Sequence, residues 1–427
     1  MAFEALTLGR QACNAGATRE WSSTARHAII EHMTLPAYPA ARLVAPNVHA
    51  YFARQHAEAR RDADEATKAP RGVVPDGLTI EAMINAAFWA SLRREEGYVP
   101  KISLAYVSPR DAGQPITFAR PLPLDPAALS RVAPAVERSG IHLGVWPTDP
   151  GASGGELRVW GTTQRIPSLC FVLEVASPGL LVIKHHRGDE SGKYVNVAVL
   201  EGDQVKLVDE RASIQPDCPA LLTSLLGFDG QASEVDSANV LVELAVSMRA
   251  HGRGGSLLVV PASSETWRES VAQPIPYAVV PAYDELAAIT RTRAANGGDG
   301  AGDGDGRGGA DAFVEVVAAI AGLTAVDGAT VLSSRYELLA FGATIVRRKA
   351  WAQVEQVMVT EPIEGGAASL VHPDQIGGTR HRSAAQFAHD QQDAMALVAS
   401  HDGRFTVFAW SPHESLVRAH RIEALLL

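Results

Sequence analysis

Residues 296–310 read NGGDGAGDGDGRGGA, and no other stretch limits the fold of this 427-residue chain as strongly. Glycine and aspartate bring almost no apolar surface, so burial cannot offset the entropy that ordering this backbone would cost. A calcium loop that starts at Asp299 fails, because Ala301 and Ala310 would then stand where acidic ligands are required. We therefore predict a flexible linker at 296–310 that divides the chain.

The rest of the chain divides further by its residue patterns. Its length exceeds one ordinary domain and favours two or three, each with its own core. Helical spacing of apolar residues dominates from about residue 25 to residue 96, and β-branched or alternating segments follow from residue 101. The predicted segments are a helix-rich lobe at 1–150, an α+β lobe at 151–295, the linker at 296–310 and a C-terminal domain at 311–427.

The C-terminal segment has the pattern of a compact mixed α/β domain. Asp311 is a suitable N-cap for a helix in which Phe313, Val316 and Ile320 recur on one face. Apolar strands and one further helix, from about residue 380 to residue 393, follow it. The expected fold class is therefore α/β, or α+β for the whole chain, with a helix-flanked mixed sheet in the C-terminal domain.

Composition and charge limit the partners and the compartment. The net charge of −10 argues against nucleic acid as the main partner, because proteins that track phosphate backbones are usually basic. No apolar run reaches the roughly 18 residues of a membrane span, and the first residues lack the pattern of a secretory signal. Three cysteines without metal-ligand spacing favour reduced thiols. We expect a cytoplasmic protein without a membrane partner.

The pentapeptide Gly378-Thr379-Arg380-His381-Arg382, here called the 378–382 motif, is the strongest sign of chemistry in the sequence. It precedes the helix-prone run that starts at Ser383. Basic side chains in the first turn of a helix oppose the helix dipole, which makes them a poor choice unless an anion binds there. Backbone N–H groups and arginines together suit phosphate oxygens. The motif therefore predicts a phosphate site, against the simpler interpretation of solvated basic residues.

Asp327-Gly328-Ala329, here called the 327–329 motif, stands about fifty residues upstream at the start of an apolar segment. Such tripeptides often mark tight turns. An acid at a strand end, followed by two residues with almost no side chain, also allows a divalent cation and a closely approaching nucleotide. The pairing of the two motifs favours a site for a nucleoside triphosphate.

Together, the two motifs resemble the paired motifs of the diadenylate cyclase domain (DAC, DisA_N-type), over about residues 311–410. The resemblance implies synthesis of cyclic di-AMP from two ATP molecules. It implies that Asp327 binds Mg²⁺ or Mn²⁺ and promotes attack by the ribose 3′-hydroxyl. Asp402, which stands where many members have a glutamate, is the further candidate metal ligand as a substitute for that carboxylate. Asp327, Arg380, His381 and Arg382 are the expected catalytic residues. The expected nucleotide-binding residues are Gly328, Ala329, Ile345, Gly378, Thr379, Arg380, His381, Arg382 and Ser400.

The same resemblance implies an oligomer and a regulator. Each domain holds one ATP, so the reaction needs two domains face to face, and we expect a homodimer or a higher oligomer. The region before the linker resembles the sensor domains found beside bacterial DAC domains, with an unidentified ligand. One departure matters, because many members follow the serine with two glutamates, whereas this chain has Ser400-His401-Asp402. The alternative is therefore a catalytically inactive, DAC-like sensor that binds ATP or a nucleotide messenger.

A rival interpretation uses His389-Asp390, the dipeptide of HD-type phosphohydrolases, with His372 and Asp402 as further metal ligands. Those enzymes are helical, whereas strands are predicted on both sides of this dipeptide. The surroundings favour the nucleotide site over this metal site.

Overall fold

The computed structural model describes residues 36–61, 71–94, 97–138, 140–149, 155–186, 194–209, 232–295 and 306–427. These residues form helices and two mixed β-sheets, so the predicted α+β fold is confirmed. The helices are α1 (Pro39–Arg61), α2 (Gly77–Ser91), α3 (Pro126–Val132), α4 (Ala232–Ala250), α5 (Glu285–Ala295), α6 (Gly306–Leu323) and α7 (Thr379–Asp390).

The first sheet has eight strands in the order β2-β4-β3-β1-β5-β6-β7-β8. Its only parallel pair among the described residues is β1 with β3. Helix α2 packs on β5 and β6, and α1 packs on α2 and β7. The strands are β1 (Ile102–Tyr106), β2 (Ile116–Pro123), β3 (His142–Pro147), β4 (Leu157–Thr163), β5 (Phe171–Ser177), β6 (Leu180–His186), β7 (Tyr194–Glu201) and β8 (Gln204–Leu207).

The second sheet has nine strands in the order β10-β12-β11-β9-β15-β16-β17-β13-β14. Strand β9 lies near its centre and pairs in parallel with β11 and in antiparallel fashion with β15. The strands are β9 (Gly255–Val260), β10 (Tyr277–Tyr283), β11 (Ala329–Ser333), β12 (Leu338–Ala343), β13 (Val357–Thr360), β14 (Ser369–Val371), β15 (Met395–Ala399), β16 (Phe405–Ser411) and β17 (Leu416–Arg421).

Helices cover both faces of the second sheet. Successive residues of a strand point to opposite faces, and in β9 Leu257 and Leu258 belong to two different core clusters. The cluster around Leu257 includes Leu244 of α4 and Ile320 of α6, whereas the cluster around Leu258 includes Phe387 of α7. Helix α7 carries the 378–382 motif. Of the described α-helices that contribute to these two clusters, it is the one that packs on the Leu258 face of the sheet.

The sheets do not divide where the predicted segments do. Strands β9 and β10 lie upstream of the Gly/Asp tract, yet they pair with β11, β12 and β15 downstream of it. Likewise β3 and β4, on either side of residue 150, are neighbours in the first sheet. The predicted boundary at residue 150 therefore falls between two paired strands of the first sheet. The predicted linker at 296–310 falls between strands that pair in the second sheet. Local residue patterns mark strands but do not state which strand pairs with which.

The Gly/Asp tract is partly helical. Residues 296–305 lie outside the described residues, but α6 begins at Gly306, so the tract's last five residues are helical rather than linker. Asp311, the predicted N-cap, consequently lies inside the helix. Glycines are weak helix formers, but α6 packs against α4 and α5, and tertiary packing supplies most of a helix's stability.

Two further expectations meet the structure only in part. In the part of the chain that is described, no helix combines the length and apolar character needed to cross a membrane. Cys170 is buried and free, whereas Cys13 and Cys218 lie outside the described residues.

Candidate functional site

Several predicted site residues lie where the central strands β9 and β11 begin and the central strand β15 ends. This end of the second sheet is here called the sheet edge. Ala329, at the start of β11, pairs with Ser256 at the start of β9. Ala399, at the end of β15, pairs with Gly255. Because neighbouring strands lie about 4.8 Å apart, Asp327, Gly254 and Ser400 are set within a few strand spacings of one another. The tertiary fold thus brings the 327–329 motif and the turn after β15 to the same place.

Arg380 links the 378–382 motif to this edge. A Cβ atom added at Gly254 would lie 3.1 Å from Arg380 Nη1, 3.2 Å from the Ala399 carbonyl oxygen and 3.4 Å from His401 Cδ2. The guanidinium therefore extends from the first turn of α7 to the start of β9. Gly254 has a φ of +69°, and any side chain there would meet the arginine.

His381 is buried beneath this edge, with only 4% of its surface exposed. Its ring packs against Gly377, where an added Cβ would lie 2.4 Å from Nδ1, and meets the Phe408 ring edge-on at 6.0 Å. Its Nε2 atom has no hydrogen-bond partner among the described residues. Burial is the main cause that lowers the pKa of His381, with Asp402 opposing it, so the ring is neutral at pH 7. A neutral, unpartnered imidazole is left at the site.

The other members of the 378–382 motif are more open. Gly378 is the N-cap of α7 and offers no side chain to the first-turn N–H groups. Thr379 and Arg382 are exposed, and Arg382 Nη1 donates a hydrogen bond to Asp374 Oδ1 at 3.1 Å. The first turn of α7 therefore presents backbone donors and a solvent-accessible guanidinium.

The glycine of the 327–329 motif is required by a close contact between two backbone segments. Gly328 has a φ of +99°, and a Cβ there would lie 2.5 Å from the carbonyl carbon of Gly342. Gly342 in turn has a φ of +65° and lies against the Tyr277 ring, which stacks on Phe341 at 4.7 Å. Two backbones therefore meet without side chains between them. Asp327, just before this contact, is exposed, whereas Ala329 is buried.

The remaining predicted residues differ in position. Ile345 follows β12, bridges to Val271 and packs half-buried against the core cluster on the α7 face. Ser400 opens the turn between β15 and β16, where its N–H donates to the Arg404 carbonyl oxygen at 2.9 Å. Asp402 forms an ion pair with Arg404 at 3.4 Å and lines a cavity that faces the first sheet. Asp402 also acts on the pKa of His381, which it raises against the effect of burial.

The donor set suits a cation that arrives with a nucleotide. No group of three or more histidine, cysteine, aspartate or glutamate side chains among the described residues is arranged to hold a metal ion. Magnesium is commonly bound through one or two carboxylates together with substrate phosphates. The exposed carboxylate of Asp327 fits that mode of binding.

The rival metal site at His389-Asp390 is not assembled. Asp390 is buried and accepts hydrogen bonds from the Arg348 N–H at 2.7 Å and from Gln386 Nε2 at 2.8 Å. His389 Nδ1 is 2.9 Å from the same carboxylate. Asp390 therefore anchors the segment around Arg348 to α7.

Sequence reasoning missed one segment of the site. Residues 251–255, His251-Gly252-Arg253-Gly254-Gly255, form the turn before β9 and had been assigned to the upstream lobe. His251 Nε2 is 3.1 Å from Thr324 Oγ1, and a Cβ at Gly255 would lie 2.5 Å from the Thr324 carbonyl oxygen. A glycine-rich basic turn before the apolar run Leu257–Val260 was the available signal.

A known family matches part of the region upstream of the Gly/Asp tract. Residues 69–164 match the family described as "Probable sensor domain DACNV", which is associated with diadenylate cyclases. The match runs from α2 through β4, and both motifs lie outside it. No curated protein matches the chain. Residues 69–164 are therefore similar to a sensor domain of a kind that accompanies diadenylate cyclases.

Proposed function

We propose that the chain is a diadenylate cyclase, which condenses two ATP molecules into cyclic di-AMP and two pyrophosphates under the control of an N-terminal sensor region. One observation carries the proposal. Arg380 of the 378–382 motif reaches Gly254, at the edge where the 327–329 motif enters the sheet. The similarity of residues 69–164 to a sensor domain associated with diadenylate cyclases supports the same conclusion.

The basic residues suit a triphosphate. Arg380 and the exposed Arg382 supply guanidinium groups, which bind phosphate oxygens through paired hydrogen bonds. The first turn of α7 adds backbone N–H groups and the positive end of the helix dipole. The neutral His381 contributes Nε2, which has no protein partner in the described part of the chain. A phosphate at the first turn of α7 would accept hydrogen bonds from the guanidinium groups, the backbone N–H groups and the imidazole.

Asp327 is the proposed centre of the chemistry. Its carboxylate would hold Mg²⁺ or Mn²⁺ at the sheet edge and lie beside the ribose 3′-hydroxyl that attacks. The bound cation offsets negative charge on the reacting phosphates and on the leaving pyrophosphate. The arginines share that role, because phosphoryl and nucleotidyl transfer depend mainly on positioning and charge stabilisation.

Two copies of the site are required. In each half-reaction, one 3′-oxygen forms a bond to the α-phosphorus of the other nucleotide, and the bond to pyrophosphate breaks. Each chain offers one edge with one 378–382 motif. The proposed active form is therefore a homodimer or a higher oligomer in which two such edges face each other.

A second candidate function is an inactive nucleotide sensor. The observation in its favour is the ion pair of Asp402 with Arg404, which engages the second candidate metal ligand and leaves Asp327 as the candidate carboxylate for the metal at this edge. Such a site would bind ATP or a nucleotide messenger without turning it over.

Incubation of the purified oligomer with ATP and Mn²⁺ or Mg²⁺, followed by mass spectrometry of the products, separates the two. We expect cyclic di-AMP, and we expect Asp327→Asn to lower its rate by about 10²–10³-fold. Asp393→Asn, an exposed aspartate just beyond α7, is the matched control and should keep full activity. An oligomer that binds ATP without forming product would favour the inactive sensor, and one that binds no nucleotide would contradict both functions.

A further inference from the structure

A cavity of about 630 Å³ lies between the first sheet and the turn at residues 400–404. Its first-sheet wall comes from β6, β7 and β8, and its other wall includes Arg249 of α4 and Arg404. The volume is in the range of small-molecule sites in proteins. The apolar part of the lining includes Leu180 and Val199. The cavity therefore lies between the sheet that contains the sensor-like residues and the loop beside the candidate nucleotide site.

Arg249 is a cation without a carboxylate partner in this cavity. Its Nε donates to the Gly403 carbonyl oxygen at 3.0 Å and its Nη1 to the Leu426 carbonyl oxygen at 3.2 Å. No carboxylate of the described residues forms an ion pair with it. Burial lowers the pKa of Arg249, against the opposing effect of Glu423 and Glu201. Those two acids are thus close enough to affect the guanidinium but too far away to pair with it.

The acidic side of the cavity is also incompletely satisfied. Glu423 Oε1 lies 3.6 Å from Lys206 Nζ, but its Oε2 atom is buried and has no hydrogen-bond partner among the described residues. Lys206 is itself held by Glu361 at 2.6 Å. Glu201 is exposed and makes no ion pair with the described residues. Arg249, which has no carboxylate partner in the described part of the chain, therefore lines the same cavity as Glu201 and Glu423.

A molecule with both charges would satisfy the two sides. A ligand carboxylate matches the fork of N–H groups on Arg249, and a ligand ammonium matches the carboxylates of Glu201 and Glu423. A purely anionic ligand would meet the repulsion of the acids, and a purely cationic one that of Arg249. The apolar surface of Leu180 and Val199 suits an aliphatic side chain between the charged ends.

Arg249 also connects the cavity to the sheet edge. Its bond to Gly403 holds the turn that begins at Ser400. Five residues along the chain from Arg249, Gly254 contacts Arg380. A ligand that draws the guanidinium toward itself would thereby act on two segments that border the candidate nucleotide site.

We propose that this cavity binds a small aliphatic zwitterion, a free amino acid or a short peptide, and that its occupancy changes nucleotide affinity at the sheet edge. The regulatory half rests on the proposed nucleotide site, whereas the binding half does not. The cavity would then be the place where the ligand of the sensor region acts.

Calorimetric titration of the full chain with the twenty L-amino acids and with Leu-Leu tests the binding half, and the two arms separate amino acid from peptide. We expect saturable binding of an aliphatic member, and at least tenfold weaker binding of 4-methylpentanoate and isopentylamine, which each carry one charge. Glu201→Gln should weaken binding at least tenfold, because it removes a charge from an exposed residue without disturbing packing. Glu243→Gln, an exposed glutamate on α4, should bind as the unmodified chain does. Absence of saturable binding by all twenty-one compounds, or equal binding by the Glu201 variant, would overturn the site.

Titration with 3′-deoxy-ATP, which lacks the attacking hydroxyl, tests the regulatory half without any turnover. We expect its dissociation constant to change at least threefold when the cavity ligand is saturating, and to stay unchanged in Glu201→Gln under the same conditions. Binding of both compounds with no mutual effect would overturn the regulatory half alone. A chain that binds the zwitterion but no 3′-deoxy-ATP would refute the proposed nucleotide site and leave the cavity assignment supported.

Discussion

His142, in the first sheet, and His381, on α7 against the second sheet, are both buried but differ in what surrounds them. In the first sheet, His142 Nδ1 is 2.7 Å from Ser103 Oγ, and its Nε2 is 2.8 Å from the Tyr194 hydroxyl. Against the second sheet, His381 is equally enclosed, yet its Nε2 meets no partner in the described part of the chain. Both pKa values are lowered, with burial as the main cause, that of His142 to about 4.

The difference separates a closed structural network from the proposed phosphate site. A buried polar group that is left unpaired costs free energy, so folded proteins satisfy almost all of them. The His142 network closes on itself and has no need of a ligand. His381 lies beside the first turn of α7 and its arginines, where an incoming phosphate would complete its hydrogen bonding. Burial of a histidine alone therefore does not mark a site. At His381 the unpartnered Nε2 stands beside the arginines of the 378–382 motif, and the two features together support the proposed phosphate site.

Replacing each histidine by leucine tests whether the two histidines differ in their contribution to stability. His142→Leu should cost about 4 kcal/mol of stability, because it keeps the volume but leaves the Ser103 and Tyr194 hydroxyls unpaired. His381→Leu should cost under about 1 kcal/mol and weaken 3′-deoxy-ATP binding at least tenfold. Urea denaturation and calorimetry measure the two effects. Equal losses of stability in both variants would show that His381 is structural as well.

The next effect is a dependence of stability on pH. His142 and His420 have folded pKa values of about 4, below the ordinary 6.5, mainly because both are buried. Between those pH values the unfolded chain binds more protons than the folded chain, so stability falls as pH falls from 6.5 towards 4. Each histidine contributes about 3 kcal/mol across that window. Urea midpoints measured from pH 7 to pH 4 should show the loss.

The same series in His142→Leu tests the source of the slope. One of the two titrating groups is then absent, so the fall in stability between pH 7 and pH 4 should be smaller by about 3 kcal/mol. His413→Asn, at an exposed position, should keep the full slope. An unchanged slope in His142→Leu would contradict the role of its burial.

A pair of glycine substitutions gives a smaller effect and tests the edge of the second sheet. Gly328→Ala should destabilise the fold by about 2 kcal/mol, because its φ is +99° and the new Cβ would lie 2.5 Å from Gly342. Gly322→Ala, on α6 with no atom near its Cβ position, should be neutral or stabilise by up to about 1 kcal/mol. Thermal denaturation compares them, and similar shifts in both variants would mean that the close backbone contact is absent.

The smallest effect concerns the exposed pair of Arg382 and Asp374. Arg382→Met should change stability by under about 0.5 kcal/mol, because surface ion pairs contribute little. It should nevertheless weaken 3′-deoxy-ATP binding about tenfold, whereas Asp374→Asn should not. Calorimetry separates the roles, and a parallel loss of affinity in both variants would indicate that the pair matters as a structural unit.

Patterns with short range were predictable from sequence. The sequence Glu201-Gly202-Asp203 is typical of a hairpin turn, and β7 and β8 pair across it as Glu201 with Gln204. The 378–382 motif was expected at a helix start, and α7 begins at Thr379. The capping preference of Asp311 predicts a helix that starts there, whereas α6 starts at Gly306. Capping preference is a local property and does not include the packing of α6 on α4 and α5.

The sequence by itself determined the α+β class, the two motifs and the likeness of residues 69–164 to a sensor domain, because these depend on residue type, spacing and local periodicity. Only the tertiary structure decided that β9 and its glycine-rich turn join the sheet of the 327–329 motif, and that Arg380 reaches that turn. It also decided that Asp402 lines the cavity between the first sheet and the turn at residues 400–404. Pairing between distant strands depends on long-range burial and register, which the local pattern does not encode. The same long-range contacts leave His381 unpartnered and His142 satisfied.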